Sequence, residues 1–222
     1  MLSSRARLLA GCAAALTGAC VYVVFAGTWW GQLVDDRVFG WAQRFAVGPL
    51  RQWLPVVCRG PLVAVIAGVT VMIGLVAVWR GRVRSVVCGT LIVAISVTAA
   101  RFLREVLPRP DHGFSYDVNT LPSTHVAAVT SLVVASILMT STPRPRWLAW
   151  CGALLVWLAC VGNVVGYAHR PSDVVASVLL VASVTGAVLA LAPLRGHGAD
   201  TLSPVGSATA AQRQRPPEER RD

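Results

Sequence analysis

Six apolar stretches, separated by short polar segments, constrain the fold of this chain more than any other feature of its sequence. At about 1.5 Å per residue, a helix of some 20 residues crosses the hydrocarbon core of a bilayer, and most of these stretches approach or exceed that length. Only 14% of the residues are charged and 55% are hydrophobic, which excludes an ordinary soluble domain of this size. The sequence therefore predicts an all-α, polytopic membrane protein with a bundle of six transmembrane helices. The stretches are 8–29, 61–79, 85–103, 126–140, 147–168 and 174–194.

Two further segments differ in composition from these predicted spans. Residues 30–60 mix Trp, Asp and Arg with short apolar pieces, which is typical of an interfacial helix and loop. Residues 196–222 are rich in polar and charged residues and lack the apolar content needed to fold. We therefore expect one membrane domain over residues 1–195, followed by a disordered cytoplasmic tail.

The basic residues predict the orientation of the bundle. All 20 are Arg, and 12 of them lie in the N-terminal segment, the 80–84 loop, the 144–146 loop and the tail, which six spans place on one side. Because positive residues collect in cytoplasmic loops, both termini are predicted to be cytoplasmic. In such a protein the net charge of +10 needs no nucleic acid partner to explain it.

Under this topology, three polar segments meet at the extracytoplasmic end of the bundle. They are 101–110 after the third span, 122–125 before the fourth, and 169–173 between the fifth and sixth. Each segment also has a purely structural interpretation. Arginines anchor span ends, Ser123 can cap a helix, and the charge of Asp173 interacts favourably with the positive end of a helix dipole. Their convergence is what favours function, since charged and polar groups at a membrane boundary are costly unless they are used.

The residue types in these segments suit phosphoryl transfer. Guanidinium groups match phosphate oxygens, and a helix N-terminus is a ready anion site. One histidine can attack phosphorus while its other ring nitrogen is held by Asp, and a second can protonate the departing alkoxide. This chemistry requires no metal and no cofactor.

These residues also carry a family resemblance. Arg109-Pro110, Pro122-Ser123-Thr124-His125 and His169-x3-Asp173 resemble the three motifs of the type-2 phosphatidic acid phosphatases, membrane relatives of the vanadium haloperoxidases, in that order. The resemblance implies that His169 is the nucleophile that forms a phosphohistidine, that Asp173 orients it, and that His125 is the general acid. It further implies that Arg109, Ser123 and the Thr124 backbone hold the phosphate.

The chain departs from the family motifs at three positions. Phe102 stands where the first motif has Lys, so only Arg101 or Arg104 nearby could supply that charge. Gly162-Asn163 stands where the third motif has Ser-Arg, and Asn163 can offer a hydrogen bond but no charge. Thr124 replaces a Gly of the second motif. The arginine that Asn163 replaces is an electrostatic donor of this kind in the family. Loss of one such donor can be worth about 2.7–4 kcal/mol of transition-state stabilisation.

The sequence thus favours a plasma-membrane phosphatase that hydrolyses a lipid phosphate or diphosphate, such as phosphatidic acid or a polyprenyl phosphate, outside the cytoplasm. A second hypothesis is a divergent member that binds an anionic lipid headgroup or a partner without turnover. A small transporter fits six spans, but it should bury its polar groups near the midplane rather than at one end. The sequence leaves the lipid and the oligomeric state open.

Overall fold

The computed structural model describes residues 3–45, 47–114, 119–140 and 146–192, and within these ranges the regular structure is helical, with no strand. The predicted all-α class is therefore confirmed, whereas the predicted tail, 196–222, lies outside the described residues. The helices are α1 (Ser4–Val21), α2 (Trp29–Phe45), α3 (Pro49–Arg59), α4 (Pro61–Trp79), α5 (Val83–Val106), α6 (Thr124–Met139), α7 (Arg146–Val165) and α8 (Pro171–Leu191). A π-helical turn, Tyr22–Ala26, extends α1.

Among the described residues, five helical stretches are long and apolar enough to cross a membrane, which indicates a multi-pass membrane protein. They correspond to α1 with its π-helical turn, α5, α7, α8, and one stretch, Arg51–Trp79, that joins most of α3 to α4. The predicted second span thus has an additional helix before it. Pro49 and Pro61 begin α3 and α4, a position where the missing N–H of proline has no cost.

The fourth predicted span, α6, has 16 residues and is the short apolar helix of the described chain. At about 1.5 Å per residue it is roughly 24 Å long, which is less than the hydrocarbon thickness. It packs against α4, α5, α7 and α8, so protein surrounds it on most sides. Val126, Ala127 and Val129 are completely buried there. The six-span count remains a prediction, because this helix falls below the usual length.

Helices α1 and α8 form the most extensive helix pair, and glycines set their separation. A Cβ on Gly186 would lie 2.6 Å from the Cα of Gly11, so the two backbones are in direct contact. Arg7 Nη1 donates to the carbonyl of Leu189 at 3.1 Å, where a positive charge meets the negative end of the α8 dipole. These contacts make α1 and α8 antiparallel and fix the end of the bundle away from the polar motifs.

At the other end of the bundle, the C-termini of α5 and α7 meet the N-termini of α6 and α8. Ser123 N–H, at the start of α6, donates to the carbonyl of Asp173 in α8 at 3.3 Å. Helix α2 packs across this end through Phe39 and Ala42, which contact the cluster around Val126. The three polar segments that the sequence assigned to one end are therefore adjacent.

Candidate active site

The carboxylate of Asp173 is completely buried in the first turn of α8. Its Oδ1 accepts from Arg109 Nη1 at 2.9 Å, and its Oδ2 accepts from Thr120 Oγ1 at 2.6 Å and from the backbone N–H of Arg170 at 2.9 Å. Pro171 begins this helix and places Asp173 in its first turn. There the carboxylate accepts a hydrogen bond from the N-cap backbone N–H and interacts favourably with the positive end of the helix dipole. Asp173 is thus held in one position by hydrogen bonds from three chain segments.

His169 lies beside Asp173 and is buried, with 4% of its surface exposed. Its Nδ1 is 3.0 Å from the carbonyl oxygen of Thr120 and 3.5 Å from Asp173 Oδ2. Since a carbonyl oxygen can only accept, the hydrogen bond to Thr120 requires the proton on Nδ1, and in the neutral ring this leaves the lone pair on Nε2. The shorter contact of His169 is therefore to a backbone carbonyl, with the Asp173 carboxylate next to it.

Arg109 connects Asp173 to a second carboxylate, Asp35, which was not among the residues predicted from the sequence. Its Nη2 donates to Asp35 Oδ2 at 3.2 Å, while its Nη1 contacts Asp173, and all three side chains are buried. One guanidinium thus pairs with a carboxylate on α2 and with another on α8. Because a buried charge is tolerated only when it is paired, this arrangement explains how two carboxylates occur in the interior.

Asp35 is held in place by Ser172 as well. Ser172 donates its backbone N–H to Asp35 Oδ1 at 2.9 Å and its hydroxyl to Oδ2 at 2.7 Å. Burial raises the pKa of the Asp35 carboxyl, the Ser172 hydrogen bonds act against that rise, the Asp173 charge adds to it, and the Arg109 charge opposes it. The ionised form of Asp35 therefore depends on these contacts.

The sequence contains a weak signal for Asp35. Gln32, Asp35, Phe39 and Ala42 recur at intervals of three or four residues and lie on one face of α2. Gln32 and Asp35 are buried there, and Phe39 and Ala42 pack on the core. Helical spacing could have shown that Asp35 shares the inward face, but not which cation it meets. Thr120 was also missed, because a lone threonine before a proline turn has no distinguishing pattern.

The predicted second motif forms the start of α6. Ser123 is the N-cap, and its Oγ accepts from Val126 N–H at 3.4 Å. Thr124 is partly buried, and His125 is exposed within electrostatic reach of His169, Arg59 and Arg104. The structure thus places the two predicted catalytic histidines near each other, with the N-terminus of α6 beside them.

Two arginines were candidates for the missing motif lysine, and their surroundings differ. Arg101 is exposed and pairs with Glu105 at 3.6 Å, one turn along α5. Arg104 is partly buried, is within electrostatic reach of His125, and has no carboxylate partner within 4.0 Å among the described residues. Both line an open cavity of about 730 Å³ together with Arg109, Asn119 and Thr124. The contacts favour Arg104 over Arg101 as the cation nearest the histidines.

Asn163, the remaining predicted phosphate ligand, lies in the interior of α7. It is completely buried, and its Nδ2 donates to the carbonyl of Ala159 in the same helix at 2.8 Å. Its backbone carbonyl accepts from His169 N–H at 3.3 Å. Through this contact, Asn163 supports the turn that carries His169.

No set of three or more His, Cys, Asp or Glu side chains in the described part of the chain is arranged to hold a metal ion.

The comparison with protein families gives one match, in which the PAP2 superfamily model covers residues 104–196. Over this segment the chain is similar to the PAP2 superfamily, and the match is consistent with a member of that superfamily. The matched segment begins at the end of α5 and includes Arg109, Ser123, His125, His169 and Asp173. Helices α1 to α4, with Asp35 and Arg59, lie outside it. PAP2 proteins generally hydrolyse phosphate esters, and this match together with the apolar helices indicates phosphatase-type activity on lipid phosphates.

No curated protein and no solved structure gave a significant match to this chain.

Proposed function

We propose that this protein is an integral-membrane, metal-independent phosphatase of the PAP2 type that hydrolyses a lipid phosphate or diphosphate through a phosphohistidine. The observation that carries the proposal is the contact of His169 Nδ1 with the Thr120 carbonyl beside the fixed Asp173 carboxylate. This contact requires the tautomer with its lone pair on Nε2, which is the form that can attack phosphorus.

The reaction has two balanced steps. In the first, His169 Nε2 forms a bond to phosphorus and the bond from phosphorus to the leaving oxygen breaks, which is the lipid alcohol oxygen of a monophosphate or the bridging oxygen of a diphosphate. Protonated His125 gives its proton to that oxygen. In the second, neutral His125 takes a proton from water, the water oxygen bonds to phosphorus, and the N–P bond breaks. The products are the dephosphorylated lipid and inorganic phosphate, or the lipid monophosphate and inorganic phosphate when the substrate is a diphosphate.

The phosphoryl oxygens are held by the groups around the open cavity. Arg104 supplies a cation without a carboxylate partner among the described residues, and the start of α6, with the Ser123 hydroxyl and the Thr124 backbone, lies at the positive end of a helix dipole. Arg109, also predicted to bind phosphate, lines the same cavity while it contacts Asp35 and Asp173. Its guanidinium therefore positions Asp173 in addition to that predicted role.

The proposal is tested with the purified full chain in detergent and EDTA, by measuring phosphate release from phosphatidic acid and from polyprenyl phosphate and diphosphate. His169→Ala is expected to reduce turnover by at least about 10³-fold, because loss of a nucleophile removes the covalent route. His112→Ala is the matched control, since His112 contacts the Gly27 carbonyl outside the motifs and should retain activity. Equal turnover in wild type and His169→Ala would reject His169 as the nucleophile, and inhibition by EDTA would reject metal independence.

The orientation of the site is part of the same proposal. The Arg distribution supports cytoplasmic termini and an active site on the opposite side, and we assign the protein to the plasma membrane. A fluorescent protein at the C-terminus is then expected to fluoresce, and an alkaline phosphatase fused there is expected to be inactive. Active alkaline phosphatase at that end would invert the topology.

A second candidate function is the binding of an anionic lipid headgroup without turnover. Two observations favour it: Arg109 is engaged by two carboxylates, and Asn163 donates to its own helix where family members have Arg. Saturable binding of phosphatidic acid vesicles without phosphate release would support this function. Sustained phosphate release would reject it.

A further inference from the structure

A guanidinium from outside the family match lies at the active site. Arg59 ends α3, is partly buried, and donates from Nη2 to the carbonyl of Gly166 at 2.6 Å. Gly166 directly follows α7 and precedes the turn that carries His169. Arg59 is also within electrostatic reach of His125. It therefore lies next to both chain segments that carry the proposed catalytic histidines.

Arg59, like Arg104, has no carboxylate partner within 4.0 Å among the described residues. Arg101, Arg109 and Arg170 each form an ion pair, with Glu105, with Asp35 and Asp173, and with Asp36, respectively. Arg59 has only the Gly166 carbonyl, and its buried Nε has no hydrogen-bond partner there. A guanidinium has five N–H donors, and leaving a buried one unsatisfied is costly. The guanidinium of Arg59 thus has an unused N–H donor for an additional acceptor.

Two glycines allow α3 and Arg59 to approach α7, and one of them, Gly162, stands where the chain departs from the family motif. A Cβ on Gly166 would lie 2.3 Å from Arg59 Nη2 and 2.5 Å from Pro55 Cβ, so any larger residue would displace α3. A Cβ on Gly162 would lie 2.5 Å from Cys58 Sγ, in the same helix contact. The glycines at 162 and 166 are one helical turn apart and together let α3 approach α7 closely. The side chain of Asn163 is turned into α7 at this level.

We propose that Arg59 is a phosphate-binding residue of the active site, acting with Arg104 on the phosphoryl oxygens beside His125. This inference rests on the proposed function and names a ligand for it that lies outside the segment matched to the PAP2 superfamily. Two guanidiniums without carboxylate partners near one histidine attract a dianionic phosphate, and the planar fork of Arg can contact two of its oxygens. The charge missing at Asn163 is thus supplied by α3.

A structural role for Arg59 is the main alternative, because an arginine that bonds a carbonyl at the end of a helix also stabilises that end. The test therefore combines turnover with anion binding, using Arg59→Gln, Arg59→Lys and the control Arg51→Gln. Arg51 lies on the same helix and bonds the hydroxyl of Tyr167 at 2.8 Å on the exposed side. A variant is compared only if it purifies as a monodisperse protein, and Arg59→Lys keeps the charge if Arg59→Gln does not fold.

Arg59→Gln is expected to lower kcat/KM for phosphatidic acid by about 10²-fold, as loss of one transition-state donor does, and to weaken inhibition by orthovanadate in parallel. Arg59→Lys should fall between it and wild type, because it keeps the charge without the fork, and Arg51→Gln should match wild type. Free methylguanidinium should restore part of the turnover of Arg59→Ala. A stability loss with unchanged kcat/KM and unchanged vanadate inhibition would overturn the proposal and assign Arg59 a structural role.

Binding of inorganic phosphate, measured by titration calorimetry, separates failure of this proposal from failure of the proposed function. If wild type binds phosphate without turnover and Arg59→Gln does not bind it, the phosphatase function fails while the Arg59 site stands. If wild type turns over and Arg59→Gln is equal to it in turnover and phosphate affinity, the Arg59 site fails alone. If wild type neither binds nor turns over, both are rejected.

Discussion

Asp35 and Asp173, on helices far apart in the sequence, contact the same guanidinium. Arg109 donates to Asp173 at 2.9 Å and to Asp35 at 3.2 Å, and all three side chains are buried. The pair attaches α2 to the start of α8, where the proposed nucleophile lies one turn before Asp173. The charge balance of the site therefore depends on a helix outside the segment matched to the PAP2 superfamily.

Asp35→Ala is expected to lower the stability by about 3–5 kcal/mol, because removing one partner of a buried ion pair leaves the rest of the cluster uncompensated. Asp36→Ala is the control, since its pair with Arg170 is partly exposed and should contribute about 0–1 kcal/mol. Thermal unfolding in detergent, followed by tryptophan fluorescence, measures both. Equal unfolding midpoints for the two variants would mean that the buried pair does not stabilise this end of the bundle.

Thr120→Val is expected to lower both kcat and the free energy of unfolding. When both effects are expressed as free energies, the effect on kcat should be the larger. The Thr120 hydroxyl donates to Asp173 Oδ2 at 2.6 Å, and loss of such a bond costs about 1–2 kcal/mol while leaving the carboxylate less constrained beside His169. Thr120→Ser keeps the hydroxyl and should restore most of the activity. Steady-state turnover of phosphatidic acid checks this, and a serine variant as impaired as the valine variant would contradict the role of the hydroxyl.

His125→Ala is expected to slow the hydrolysis of lipid phosphates more than the hydrolysis of activated aryl phosphates. A lipid alkoxide is a poor leaving group that needs a proton, whereas an aryl oxide leaves without one, so the general acid matters for only one of the two substrates. Comparing kcat/KM for phosphatidic acid and for p-nitrophenyl phosphate measures the difference. A uniform loss on both substrates would argue against His125 as the acid.

Restoring the family residue with Asn163→Arg is expected to destabilise the protein rather than activate it. Asn163 is completely buried inside α7, so a guanidinium there lacks both room and a partner. Gly162→Ser should behave similarly, because its Cβ would meet Cys58 at 2.5 Å. Gly68→Ala is the matched control, since a Cβ there meets nothing within 4 Å. A stable Asn163→Arg variant with higher kcat would show that the site accepts the family arrangement.

Much of the fold followed from local patterns. Apolar runs predicted helices near the observed α1 and α4 to α8, because hydrophobic length reports directly on transmembrane segments. Pro61 and Pro171 marked helix starts through the fixed geometry of proline. The interfacial segment 30–60 proved to be two helices, α2 and α3, whose second member continues into a membrane-spanning stretch.

The sequence by itself determined the helices and the polar residues at their ends, because both depend on neighbours within a few positions. Only the tertiary structure decided which long-range partners those residues meet: Asp35 with Arg109, 74 positions away, and Arg59 with Gly166, 107 positions away. The physical reason is that helix packing sets these contacts. Close approach at Gly162 and Gly166 brings α3 to the site, and such an approach leaves no periodic signal in the chain.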